Sequence, residues 1–252
     1  MNKWASAGIV QGMFDLAGGF FLAALPALPI LLWLRSNDKA RPEPVGLIGK
    51  GLFLGIMAIG PAALLEYVLF PLVASFGGLG SRFIEAFLVA ALIEEGLKLA
   101  FLRRWLWKKL EFDEATDGIV YAVAVSLGFA VVENFIYTWH RPGLLIIRSL
   151  TAVPLHALAT GLMGYWLGVE KVREKWGDQG GLPRGGWARG LGIAVFVHGS
   201  YDYLLLGGGL PALLILPLLI LSFLLLRRRF AVARRIDERP GFSVDSLDKE
   251  RP

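Results

Sequence analysis

Apolar positions in this chain fall in long unbroken runs, not in the alternating pattern of a half-buried strand. A membrane-crossing helix needs about 20 apolar residues at a rise of about 1.5 Å each. Stretches of that size run from about Leu16 to Leu34, Val45 to Val73, Phe83 to Leu102, Asp117 to Trp139, Leu144 to Val169, Trp187 to Leu206 and Leu210 to Leu226. The pattern predicts an all-α, polytopic transmembrane helix bundle of about seven spans. Pro26 and Pro29 lie inside the first run, where neighbouring helices can satisfy the freed carbonyls. Basic residues follow alternate runs: Arg35, Lys39 and Arg41; Arg103, Arg104, Lys108 and Lys109; Lys171, Arg173, Lys175, Arg184 and Arg189; then Arg227, Arg228, Arg229, Arg234 and Arg235. The other connections hold Arg82, then Arg141, then no cation in Gly207–Gly209. That asymmetry puts the N-terminus outside and the C-terminus in the cytoplasm of a cell membrane.

Residues 1–229 read as a single transmembrane domain. Residues 230–252 mix charges with Pro240 and Pro252 and read as a solvated, disordered cytoplasmic tail. Only Lys3 precedes the first run, and no small-residue cleavage site stands out, so a retained first span is expected over a removed leader.

Composition agrees with the pattern: 55% of residues are hydrophobic and 19% charged, against about 45–50% and about 25% in ordinary globular chains. The net charge of +5 sits at the ends of apolar runs, so the expected partner is the lipid bilayer and not nucleic acid. The absence of cysteine removes disulfides, thiolate nucleophiles and cysteine zinc sites together.

Several ionisable residues interrupt the runs. Glu94, Glu95 and Lys98 share one segment, and each costs about 2.5–3.5 kcal/mol at the middle of a membrane helix on insertion scales. Glu133 and Asn134 lie in the fourth run, His156 in the fifth, His198 and Asp202 in the sixth. With alternating span directions, all fall in one layer between the midplane and the outer leaflet. Residues three or four apart share a helix face. Lys98 can therefore meet both Glu94 and Glu95; Phe129, Glu133 and Tyr137 form one stripe; and Asp202 can orient the His198 ring. Taken singly, each has a structural reading as a packed histidine, a protonated interhelical hydrogen-bonder or an ion pair. Four helices bearing such costs at one depth point further, to a polar, water-accessible cavity among the third to sixth runs that opens toward the outer side. Asp15 reads as interfacial, Arg148 as snorkelling to the outer surface or, alternatively, as holding a substrate carbonyl or carboxylate, and Glu66 has no evident partner. Gly164 and Gly168 have the spacing that lets helices approach closely.

The membrane Ser126, Ser149, Thr151, Thr160 and Ser200 lack a base at a diagnostic spacing. The remaining kit is carboxylate plus imidazole. A glutamate tuned by burial and a nearby ammonium is a competent base toward water, and a histidine or an asparagine amide can stabilise an oxyanion. No cofactor is needed for that chemistry. Alternatively, Glu94, Glu133, His156 and His198 are enough ligands for zinc with an open water position, although no HExxH is present. Buried Glu and His also mark ion or proton paths, so a transporter or a non-catalytic scaffold is the other class; no inverted repeat of broken helices supports the transporter.

Four segments carry a resemblance. EEGLK (Glu94–Lys98), DGIVYAVAVSLGFAVVENFIY (Asp117–Tyr137), HALATGLMGYWLG (His156–Gly168) and HGSYDYLL (His198–Leu205) resemble, in order, the motifs of the PrsW family of intramembrane proteases, which is related to type II CAAX-prenyl proteases and bacterial Abi proteins. LLWLRSNDKARPEP (Leu31–Pro44) resembles that family's turn after the first span. The resemblance implies a glutamic-type intramembrane endopeptidase acting on a single-span membrane protein or peptide, with the first cut in an anti-sigma factor as the family expectation. It implies that Glu94 activates the attacking water, that Glu95 positions or tunes the pair, and that His156 binds the water or polarises the carbonyl. Glu133 stands where the CAAX branch has a histidine, and His198 with Asp202 stands where that branch has HxxxN. An ionised Asp cannot donate as Asn does, so Asp202 points to histidine orientation or metal ligation instead. Lys98, Phe129, Asn134 and Tyr137 would support the site.

Overall fold

The computed structural model describes residues 18–37, 41–140, 142–177, 182 and 185–239. Asp15, the start of the first run, Lys39, Arg141, Arg184 and the tail from Pro240 onward lie outside the described residues. The helices are α1 (Ala27–Asn37), α2 (Val45–Ala74), α3 (Gly78–Phe83), α4 (Leu92–Trp105), α5 (Ala115–His140), α6 (Leu145–Trp176), α7 (Gly186–Gly207), α8 (Gly209–Ala212) and α9 (Ile215–Asp237). A π-helical stretch, Ile84–Ala91, joins α3 to α4. No strand occurs among the described residues.

Five helical segments are long and apolar enough to cross a membrane: Gly18–Asn37, Val45–Ala74, Ala115–Tyr137, Leu145–Lys175 and Gly209–Asp237. The protein is thus a multi-pass membrane protein. The other two expected runs are the rod ending in α4 and helix α7, which carry Glu94, Glu95 and Lys98, and His198 and Asp202. Their polar residues thin the apolar signal.

Helix α5 is the centre of the bundle. Of its most apolar stretch, 78% is buried, against 22% for α2 and for α9, whose outer faces are left for lipid. Glycine makes this possible on two sides. A Cβ on Gly55 of α2 would strike the backbone at Val125, and one on Gly128 of α5 would strike the Leu52 carbonyl. Across the other face, Gly118 of α5 meets Gly164 and Gly168 of α6 backbone to backbone. Without hydrophobic drive between helices in lipid, such close approach supplies the packing energy, and it fixes the rotation that brings Phe129 to Lys98 of α4 and Glu133 to His156 of α6.

One end of the bundle is fastened by acids. Helix α5 begins with exposed N–H donors; Asp117 Oδ2 accepts from the N–H groups of Asp113 and Glu114 at 2.8 and 2.6 Å, reaching back as an N3 residue does in a capping box. Asp237, at the end of α9, accepts from the N–H groups of Ala115 and Thr116 at 2.6 and 3.1 Å and from the Thr116 hydroxyl at 2.9 Å. Helix α9 therefore runs into the stretch read as a tail, with Phe230, Ala233 and Ile236 buried. Glu170 likewise accepts from the Trp187 N–H at 2.7 Å at the start of α7. Lys171, Arg173 and Lys175, read as a loop, belong to the last turns of α6.

Candidate active site

The π-helical stretch opens directly into the turn that carries Glu94 and Glu95. Lys98, one turn later and wholly buried, places its Nζ 2.7 Å from Glu95 Oε1, 3.3 Å from Glu94 Oε2 and 3.0 Å from His156 Nδ1. An ammonium only donates, so His156 Nδ1 accepts and its Nε2–H donates to Glu133 Oε2 at 2.6 Å. The second ring, His198, has Nδ1 3.0 Å from Glu95 Oε1 and Nε2 3.4 Å from Asp202 Oδ2. The two imidazoles meet edge to face at 4.8 Å. Phe129 closes the underside, with Lys98 Nζ 4.2 Å from its ring centre and His156 packed at 5.7 Å.

The structure brings Glu94, Glu95, Lys98, Phe129, Glu133, Asn134, Tyr137, His156, His198 and Asp202 into one cluster contributed by α4, α5, α6 and α7. The paired glutamates differ within it. Both oxygens of Glu95 are consumed: Oε1 by Lys98 and His198, Oε2 by the Thr160 hydroxyl at 2.7 Å, which in turn lies 2.8 Å from Ser126 Oγ. Among the described residues, Glu94 has only the 3.3 Å contact to Lys98 within hydrogen-bond range, and it lines a cavity of about 250 Å³. Glu95 is a strut; Glu94 is the carboxylate turned to open space.

That cavity corrects one expectation. A hollow among the third to sixth runs is the reading from polar residues alone. The structure instead opens it between α2 and α5, with Glu66, Tyr67 and Phe70 on one wall and Phe129, Glu133 and Tyr137 on the other. A second correction concerns Arg148, which does not snorkel outward. It turns inward, 3.1 Å from Glu133 Oε1 and 3.3 Å from Asn134 Oδ1, with its guanidinium 4.1 Å from the Tyr137 ring centre. Arg148 and Thr160 are site residues that helical spacing alone misses, because their partners lie on other helices.

Among the described residues, Glu94, His156 and His198 each offer a ligand atom within 4.8 Å of the others. Glu133 stands outside that trio, behind His156, as Glu95 stands behind His198. Carboxylates holding the far nitrogens of two imidazoles are the usual outer support of a metal site.

Comparison with known proteins gives the family. Residues 43–226 match the model of the PrsW family intramembrane metalloprotease. Protease PrsW of Bacillus subtilis (strain 168) is 34% identical over 186 residues, covering 71% of this chain and 79% of that protein. Protease PrsW of Geobacillus kaustophilus is 35% identical over 182 residues, or 72% and 76%. Protease PrsW of Shouchella clausii is 28% identical over 225 residues, or 84% and 98%. No solved structure matches the chain. A buried Glu–Lys–His cluster on four helices of a multi-pass bundle, in a chain related to these proteins along most of its length, places it in the PrsW family of intramembrane proteases.

Proposed function

We propose that this intramembrane protease is an endopeptidase that hydrolyses a peptide bond of a single-span membrane protein, with Glu94 as the group that meets the attacking water. The supporting observation is the asymmetry of the glutamate pair: Glu95 is saturated by three partners, while Glu94 faces the cavity. Glu94 takes a proton from water as the water oxygen bonds to the scissile carbonyl carbon. The proton then passes to the leaving nitrogen as the carbon–nitrogen bond breaks. Lys98 holds Glu94 in place and is itself held by Glu95. His198 is fixed between Glu95 and Asp202, and Glu133, anchored by Arg148, fixes His156. A site-1-type cut in an anti-sigma factor, seven spans with the N-terminus outside, and the cytoplasmic membrane complete the proposal.

Glu94, His156 and His198 would hold a zinc ion, since their donor set and the carboxylates behind both rings suit it. Zinc, when bound, acidifies a ligand water and polarises a carbonyl. The metal-free reading has its own observation: Lys98 Nζ already lies 3.0 Å from His156 Nδ1, where a cation would compete with the ammonium.

The test is cleavage of a single-span peptide in proteoliposomes by the purified protein, alongside metal analysis. Cleavage is expected from the natural protein and not from Glu94→Gln. Cleavage that survives both Glu94→Gln and Glu95→Gln overturns the proposal. Activity lost to a chelator and restored by zinc selects the metal reading; chelator-insensitive activity from metal-free protein selects the other.

A further inference from the structure

Glu66 is the acid that the chemistry above leaves unused. It lies on α2, inside an apolar run, and faces the same cavity as Glu94 and Glu133. Its Oε1 is buried and has no hydrogen-bond partner among the described residues. The other acids of the cavity differ: Glu94 has Lys98, and Glu133 has both His156 and Arg148. A buried polar oxygen without a partner is costly, a cost that a donor arriving from outside would offset.

The cavity wall says what kind. Tyr67, Phe70 and Tyr137 are among its lining residues, and aromatic rings attract cations, as Tyr137 already does with Arg148. Ile59 and Ala62 extend it with apolar surface, which suits the methylene stem of a long basic side chain. About 250 Å³ falls just short of the usual small-molecule pocket of about 300–1,000 Å³ and suits one side chain. The outer flank of α2 there is open, with Leu64 65% and Tyr67 79% exposed, so a substrate helix can reach the cavity sideways from lipid.

We infer that the hollow between α2 and α5 is a substrate side-chain subsite, in which Glu66 receives a lysine or arginine close to the scissile bond. The inference rests on the endopeptidase reading for its position in the reaction, since Glu94 forms the subsite's inner wall. Glu66 is thereby a specificity-determining residue that never touches the attacking water.

The experiment uses single-span peptides in which Lys, Gln or Glu is walked through the residues flanking the cut. The natural protein is expected to favour Lys at one position. Glu66→Gln should raise KM for that peptide by about tenfold to a hundredfold, the range for losing a hydrogen bond to a charged group, with kcat unchanged and the Gln peptide unaffected. Glu66→Lys should transfer the preference to the Glu peptide. Equal losses on all three peptides, or no preference for Lys at any position, overturn the subsite. Binding of the same peptides to Glu94→Gln protein, with and without Glu66→Gln, separates the two readings. If no peptide is cut yet Glu66→Gln still weakens binding of the Lys peptide, the subsite stands and the hydrolytic reading falls. If binding ignores Glu66, the subsite falls whatever is cut.

Discussion

Two groups of buried and half-buried acids lie in this bundle, and they are used in opposite ways. At one end, Asp117, Asp237 and Glu170 meet backbone N–H groups at helix starts, while Asp113 and Glu114 meet Arg41 and Lys175, and Glu43 accepts from the Tyr121 hydroxyl. Near mid-bundle, Glu94, Glu95 and Glu133 sit on helices whose backbone is already internally bonded. They can meet only side chains. The first group satisfies donors that folding exposes. The second gathers groups that folding alone does not require, with one of the pair left facing a cavity. Position along a helix thus separates an acid that fastens from an acid that can react.

Substitutions can break or sharpen that contrast. The largest effect is expected from Glu94→Gln, with cleavage down about 10²–10⁴-fold, the usual worth of a general base. Insertion and thermal unfolding in detergent should be close to unchanged, and a matching collapse in stability would move Glu94 into the fastening class. Next is Lys98→Met, which leaves buried Glu94 without its hydrogen-bond partner and takes one of three from Glu95. Leaving buried charges unpaired costs about 3–5 kcal/mol, so both unfolding midpoint and cleavage should fall together. Thr160→Val removes one donor from Glu95 Oε2 and should cost about 1 kcal/mol, with a smaller fall in kcat at constant KM as the strut loosens. Smallest in its effect on cleavage is Asp237→Ala. It should lower stability by about 1 kcal/mol, as loss of a helix cap does, and leave the rate per folded molecule unchanged. A fall in that rate would join the two groups of acids into one system.

Much of the reactive cluster was legible because its spacings are local. Glu94, Glu95 and Lys98 lie within one helical turn, as do His198 and Asp202, so their contacts follow from the pitch. The depth argument then joined four helices through alternating direction. Glu66, Arg148 and Thr160 escaped because their roles depend on how far each helix is rotated against its neighbour. That rotation is set by close glycine contacts such as Gly55 and Gly128, and an isolated glutamate in an apolar run carries no sign of which face it will share. Asp237 escaped for a related reason: its partners lie 121 and 122 residues away, so it read as one charge among many in a tail. The two runs with the weakest apolar signal, by contrast, are weak because they carry Glu94, Glu95, Lys98, His198 and Asp202.

The π-helical stretch Ile84–Ala91 has a consequence for how such a site can drift or be lost. It works as a phase adjuster between two halves of one rod. Before it ends, Phe87 is seated on Gly199 of α7; after it, Glu94 and Lys98 come round to the histidines. Straightening it to ordinary pitch with every residue kept would swing the acid pair by about 100°, whereas losing one residue along with the stretch would leave the pair nearly in phase. A relative whose Phe87-to-Glu94 spacing is one residue shorter can therefore hold the same acids with an unbroken α-helix.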